Sequence, residues 1–209
     1  FIATSMGEGL AKIFKDFGVD YIIEGGQTMN PSTEDFMKAI DSINAKNIFI
    51  FPNNSNIIMA ANQAKELIVI PTKNTPQGFT ALVNFNADAS VEENEQALME
   101  SLTMVKSGQV TFAVRDTVMN DVEVKEGNII GIAESKLMDA GDSVDEITTS
   151  LVEKLVDEDS AIITLFYGED VTEEDANNLR DELEEKFEDL DIELYYGGQP
   201  LYYYLISVE

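Results

Sequence analysis

Two short apolar runs, each closed by a proline, constrain this fold more than any other feature of the chain. Asn47-Ile48-Phe49-Ile50-Phe51 stops at Pro52, and Leu67-Ile68-Val69-Ile70 stops at Pro71. Runs this brief, without polar alternation, suit strands covered on both faces. Proline cannot donate to a ladder, so each strand ends there. Helical spacing fills the intervals. Residues 8–17 place Leu10, Ile13, Phe14 and Phe17 on one face, and Gly18 stops the helix. Residues 19–23 read as a further strand, and Phe36, Ile40 and Ile43 mark the next helix. Ser32 caps that helix, with Asp35 three residues on. Ile57, Ile58, Ala61 and Ala64 form another apolar face. Repeated β-loop-α order predicts an α/β protein with a parallel sheet and right-handed crossovers.

Beyond Gly78 a short helix is expected through Leu82 and Val83. A capping box at Ser90 and Glu93 opens a longer one, running to about Lys106 with Leu98, Leu102 and Val105 inward. The pattern changes near Gly108, so two lobes are expected, residues 1–107 and 108–209. In the second, residues 110–116 read as a strand and 121–140 as an antiparallel meander. Glu126-Gly127-Asn128 is the expected turn between strands 122–125 and 129–133. Capping boxes at Ser143/Glu146 and Thr172/Asp175 open two helices around a strand at 161–167. The second helix carries Leu179, Leu183 and Phe187 inward. Strands at 192–196 and 201–208 close the chain, and alternation should send Tyr202 and Tyr204 to one face and Tyr203 to the other.

Composition narrows the chemistry. The 209 residues include no histidine and no cysteine. Ser-His-Asp and Cys-His catalysis, Cys/His zinc sites, disulfides and Cys-x-x-Cys redox chemistry are therefore excluded within this chain. The lack of cysteine fits a cytoplasmic setting. No apolar run approaches the roughly 20 residues of a membrane span, so no membrane insertion is expected. The chain opens on Phe1 without a signal-peptide n-region, as a fragment of a longer or trimmed polypeptide would. Net charge is −27. Residues 1–105 carry 13 acidic and 6 basic side chains, net −7, and residues 106–209 carry 27 and 7, net −20. So acidic a chain is a poor partner for nucleic acid. Its second lobe could instead steer a basic protein.

The loop Glu24-Gly25-Gly26-Gln27-Thr28-Met29-Asn30-Pro31-Ser32 sits where a strand hands over to a helix. In open α/β sheets that is where ligands bind, and helix N–H groups there favour anions. If the strands around it are neighbours, Gln27, Thr28, Asn30, Ser32, Asn53 and Asn54 converge at one edge. The loop at 72–78 could join them with Lys73, its one cation. The alternative is that these amides and hydroxyls serve their own turns. Gly-Gly-Gln occurs at 25–27 and again at 197–199. Peptide-release factors carry the same tripeptide, but a ribosome-binding protein should not be this acidic. Around the second copy Tyr195, Tyr196 and Tyr202–Tyr204 could form a docking surface or simply pack. Acidic turns at 139–142 and 157–159 lack EF-hand spacing, and no P-loop is present. No catalytic or metal-binding residue is assigned.

The motifs as a set resemble the C-terminal domain of FakA, the catalytic component of bacterial fatty acid kinase and a dihydroxyacetone-kinase-like family. The matching stretches are Gly9-Leu10, the segment from Val19 through Gly25-Gly26-Gln27-Thr28-Met29-Asn30-Pro31-Ser32 to Asp35, Pro52-Asn53-Asn54, Pro71-Thr72-Lys73, Pro76-Gln77-Gly78, Gly108-Gln109-Val110-Thr111, Tyr167-Gly168-Glu169-Asp170-Val171 and Tyr196-Gly197-Gly198-Gln199-Pro200-Leu201-Tyr202. The resemblance covers essentially the whole chain. It implies a two-lobed fold like that of DegV-type fatty-acid-binding proteins, which include the FakB acyl carriers. The first lobe would hold a mostly parallel sheet flanked by helices, the second a mixed sheet. It implies Gln199 and Tyr202 as binding candidates beside the loop residues. Carriers of that type hold the acyl carboxylate with a histidine and arginines, whereas this chain has no histidine and only Arg115 and Arg180. The resemblance further implies that the chain carries no cofactor of its own. ATP and magnesium would belong to a separate N-terminal domain of the same polypeptide, and a FakB-type protein would be the partner. The expected function is non-catalytic docking of that carrier for phosphorylation of its fatty acid. The alternatives are a DegV-type lipid-binding protein and a carboxylate- or metal-dependent enzyme.

Overall fold

The computed structural model describes residues 1–26, 30–64, 67–119 and 122–209. They divide into two compact units, Phe1–Val105 and Lys106–Glu209. The division falls two residues before the expected boundary because the first strand of the second unit already starts at Lys106.

The first unit runs β1 (Ile2–Ser5), α1 (Glu8–Asp16), β2 (Tyr21–Glu24), α2 (Thr33–Ser42), β3 (Ile48–Phe51), α3 (Ser55–Ala61), β4 (Leu67–Val69), α4 (Thr75–Val83) and α5 (Val91–Ser101). Its sheet has the order β2-β1-β3-β4, with every pair parallel. Strand β3 shows why the apolar run is unbroken. Ile48 and Ile50 enter a core with Phe36, Ala39 and Ile57 from α2 and α3. Phe49 and Phe51 point the other way and pack on Phe1, whose ring also meets Phe85 at 4.8 Å. Helix α1 ends as its glycine predicts. Gly18 takes φ 88°, its N–H donates to the Lys15 carbonyl, and the Val19 N–H reaches back to Phe14. Capping boxes at Ser32/Asp35 and Ser90/Glu93 are both complete.

Three expectations for this unit need correction. Residues 2–5 form a fully buried strand that sequence reading passed over, and β1 lies between β2 and β3. The loops after β2 and β3 therefore do not follow neighbouring strands. Helix α4 starts at Thr75, not beyond Gly78, because Asn74 caps it through the Gln77 N–H at 3.0 Å and Pro76 sits in its first turn. Helix α5 stops at Ser101 rather than near Lys106.

The second unit runs β5 (Lys106–Phe112), β6 (Thr117–Met119), β7 (Val122–Val124), β8 (Ile129–Ala133), β9 (Lys136–Gly141), α6 (Val144–Leu155), β10 (Ile162–Tyr167), α7 (Glu173–Lys186), β11 (Asp191–Tyr196) and β12 (Tyr202–Val208). Its six-stranded sheet has the order β11-β10-β12-β5-β8-β9 and is mixed, since β10 and β11 pair parallel and the rest antiparallel. Leu151 and Leu155 of α6 and Leu179 and Leu183 of α7 share one core with Val110, Ile163, Leu165, Tyr204 and Ile206. Gly108 makes this packing possible. A Cβ there would stand 2.9 Å from Leu155 Cδ1 and 3.0 Å from Leu151 Cδ2. That glycine is a strand residue admitting a helix, so β5 covers 106–112 instead of 110–116. The turn at 126–128 exists, with Gly127 at φ 87°, but its flanking strands do not pair. β7 pairs with β6 in a separate two-stranded ribbon, and β8 pairs with β5 and β9. The tyrosine alternation also fails, because the register shifts between Tyr202 and Tyr204. Tyr203 then packs against the same core that buries Tyr204. Among the described residues no helix is long and apolar enough to cross a membrane.

Asp139 ties β9 to α6. Its carboxylate accepts from Lys154 Nζ at 2.8 Å and from the Ser150 hydroxyl. Partial burial pushes its pKa up, but these donors outweigh burial and hold it below the ordinary 3.8. A lowered folded-state pKa gives stability that is present above the unfolded value and lost as pH falls through the folded one. Asp139→Asn should therefore destabilise the chain by about 1 kcal/mol near pH 7. Urea unfolding should show that difference closing as pH falls below about 3.8.

Candidate functional site

Parallel strands deliver their carboxyl ends to one edge, and chain order reverses there between β1 and β3. Crevices at such reversals are the ligand sites of open α/β sheets. Asn53 stands in this one. Its backbone takes φ 54°, a left-handed conformation that asparagine tolerates. Its N–H donates to Thr72 Oγ1 at 2.9 Å and its side-chain Nδ2 to the Thr4 carbonyl at 2.9 Å. The same amide lies on the first turn of α4, where a Cβ on Gly78 would come within 2.3 Å of Asn53 Oδ1. One side chain thus joins the ends of β1 and β3, the loop after β4 and the start of α4.

Most polar groups at this edge are engaged by the chain itself. Asn54 Oδ1 caps α3 through the Asn56 N–H at 2.9 Å. Ser32 accepts the Asp35 N–H and donates to its carboxylate at 2.7 Å, an arrangement that lowers the Asp35 pKa chiefly through the Ser32 hydrogen bonds. Gln77 accepts the Lys73 N–H at 2.8 Å and donates to the Leu102 carbonyl at 3.3 Å. Lys73 and Asn30 are exposed. Gln27 and Thr28 lie outside the described residues. The structure therefore brings Asn53, Asn54 and the 72–77 segment to one edge, and commits Ser32 to a helix cap. Three buried oxygens there have no hydrogen-bond partner among the described residues: Thr4 Oγ1, Ser5 Oγ and Asn53 Oδ1. Thr4 and Ser5 escaped sequence reading because their strand did. The readable signal was a four-residue apolar start followed by Gly7, which takes φ 97° at the head of α1.

Gln199 and Tyr202 belong to the second unit, where both are buried. Gln199 Nε2 donates to the Phe166 carbonyl at 2.8 Å, and its backbone carbonyl accepts the Glu169 N–H. Gly197 and Gly198 both donate to the Tyr167 carbonyl. Gly168 lies so close that a Cβ would sit 2.1 Å from the Tyr202 carbonyl oxygen. The second Gly-Gly-Gln therefore pins the 167–170 and 197–202 loops together. Gln199 Oε1 is left without a partner among the described residues.

The profile of the FakA-like C-terminal family, a fatty acid kinase family, matches residues 1–209. The chain belongs to this family. It is 45% identical over its whole length to protein YloV of Bacillus subtilis (strain 168), and 43% identical to an uncharacterised protein of Staphylococcus aureus (strain USA300). It spans only 38% and 39% of those relatives. Family members of that length therefore carry other segments besides this domain. Among solved structures it is similar to a Thermotoga maritima protein described as revealing a fatty acid binding function, with TM-score 0.68, 13% identity, and coverage of 100% of this chain and 97% of that one. Bacillus subtilis DegV, a fatty acid binding protein, follows at TM-score 0.67, 12% identity and coverage of 99% and 97%. The Streptococcus pneumoniae fatty acid kinase B3 protein, loaded with linoleic acid, gives TM-score 0.62, 17% identity and coverage of 86% and 76%. These likenesses establish a DegV-like fold.

The fit of Asn53 against Gly78 is testable. Gly78→Ala adds a methyl where the amide lies and should cost about 1–3 kcal/mol in thermal or urea unfolding, despite alanine's better helix propensity. In an Asn53→Gly background, which keeps the positive φ and removes the amide, the same change should cost almost nothing.

Proposed function

We propose that this chain is the non-catalytic C-terminal domain of a fatty acid kinase, and that it docks a FakB-type acyl carrier. ATP and magnesium would be held by a separate N-terminal domain, which would transfer the phosphoryl group to the carrier-bound fatty acid. Docking alone can contribute strongly, since positioning supplies up to about 7–11 kcal/mol of a barrier in favourable cases. The observation that carries this reading is the contrast between fold and edge. The fold is that of proteins described as fatty acid binding, yet the crevice is filled by Asn53 and its polar neighbours cap their own helices. Neither arginine lies in the first unit, and Arg180 is engaged by Asp181 and Glu184. Among the described residues no group of three acidic side chains is placed to hold a metal. The acidic second unit is the first choice for the docking face, with the loop edge around Asn53 the second.

One observation favours a different reading, a small polar or lipid ligand at the loop edge. Thr4 Oγ1, Ser5 Oγ and Asn53 Oδ1 are buried and unpartnered among the described residues, and buried polar atoms ordinarily find partners.

Binding of the chain to a FakB-type carrier, measured by titration calorimetry at several salt concentrations, tests the docking reading. Association should be measurable in the micromolar range or tighter and should weaken as salt screens the acidic face. No binding at high micromolar protein would sink the docking role. Binding indifferent to salt would remove only the steering.

A further inference from the structure

The second unit holds an apolar pocket outside the shared α6–α7 core. It measures about 220 Å³ and lies between the end of β5, the β6–β7 ribbon and strands β8 and β9. Ala113, Val124 and Leu137 form its buried floor. Ile130 and Ile132 are half-buried beside them. The apolar surface continues outward at Val114, 73% exposed, and Val118, 67% exposed. Exposed valines grouped around a pocket are a different matter from apolar residues scattered singly.

The charges around this pocket differ from those elsewhere in the unit. Residues 106–209 hold seven Lys and Arg side chains against 27 acids. Four of the seven, Lys106, Lys154, Arg180 and Lys186, are in ion pairs with Asp157, Asp139, Asp181 and Glu153. The other three are Arg115, Lys125 and Lys136. Arg115 lines the pocket, Lys125 follows the lining residue Val124, and Lys136 precedes the lining residue Leu137. In a unit crowded with carboxylates, the cations without an ion pair among the described residues collect at its apolar pocket. Arginine beside exposed apolar surface, with charge otherwise depleted, is the composition of an interface centre.

We propose that this pocket is the anchor by which the chain grips its protein partner. A partner apolar side chain enters between Val114, Val124 and Leu137, and a partner carboxylate pairs with Arg115. A pocket of this volume takes one or two apolar side chains, and a guanidinium holds a carboxylate through two parallel hydrogen bonds. The unit's net charge disfavours an anionic lipid surface as the occupant. The proposal rests on the docking reading and adds where the carrier is held. It separates two electrostatic roles. The acidic surface acts at long range on the association rate, while the pocket with Arg115 acts on dissociation.

The test measures association and dissociation rates of the chain with a FakB-type carrier, for wild type, Val114→Asp and Arg115→Glu. Both positions are exposed, and unfolding curves check that the variants fold. The anchor predicts that each substitution weakens binding about tenfold or more, through faster dissociation. Steering of a basic carrier alone predicts the opposite for Arg115→Glu, because added negative charge would speed association. Unchanged or tighter binding by Arg115→Glu, with wild-type binding intact, overturns the anchor and leaves docking standing. Failure of the wild-type chain to bind overturns both.

Discussion

Asn53 is the residue on which the first unit's site depends. Its side chain spans from the β1 carbonyl at Thr4 to the first turn of α4, and its backbone holds Thr72 after β4. To do so it adopts a left-handed backbone conformation. Such positions persist only where the surroundings over-determine them. Here the cause is visible. A glycine at 78 leaves room for the amide, and a strand carbonyl and a threonine hydroxyl fix its two ends. The crevice that an open α/β sheet offers to a ligand is thereby occupied by the protein itself.

The second unit is organised by close approach rather than by a crevice. Gly108 lets two leucines of α6 reach the sheet, and Gly168 lets the 197–202 loop pass against β10. Gln199 then holds that loop through the Phe166 carbonyl. These positions serve architecture. The surface above them carries the excess of carboxylates, interrupted where β6, β7 and the end of β5 expose valines beside Arg115. A like-charged surface with one apolar interruption separates attraction at a distance from grip at contact.

Much of this was legible in the residues. The runs at 47–51 and 67–70 gave buried parallel strands because nothing but two-sided burial explains four consecutive large apolar residues. The serine, threonine and asparagine caps located most helix starts, since orphan N–H groups need such acceptors. What escaped had physical causes. Strand β1 is too short and too small in its side chains to announce itself, although it is fully buried. The start of α4 was hidden because Pro76 and Gly78 look like loop residues, when one fits a first turn and the other makes room for Asn53. Strands β7 and β8 flank a sound turn yet take other partners, and pairing is decided by neighbours distant in sequence. The candidate loops were legible as a sheet edge. That Ser32, Asn54 and Gln77 are spent on local hydrogen bonds was not, because the same residue types build both caps and binding sites.

The account's central claim is that a fold shared with fatty acid binding proteins works here without an acyl ligand. Native mass spectrometry of the purified chain, compared with its mass under denaturing conditions, tests it most directly. The account predicts the mass of the polypeptide alone in both. A stoichiometric acyl chain released on denaturation would contradict it, and would identify the unpartnered oxygens of Thr4, Ser5 and Asn53 as part of a working lipid site.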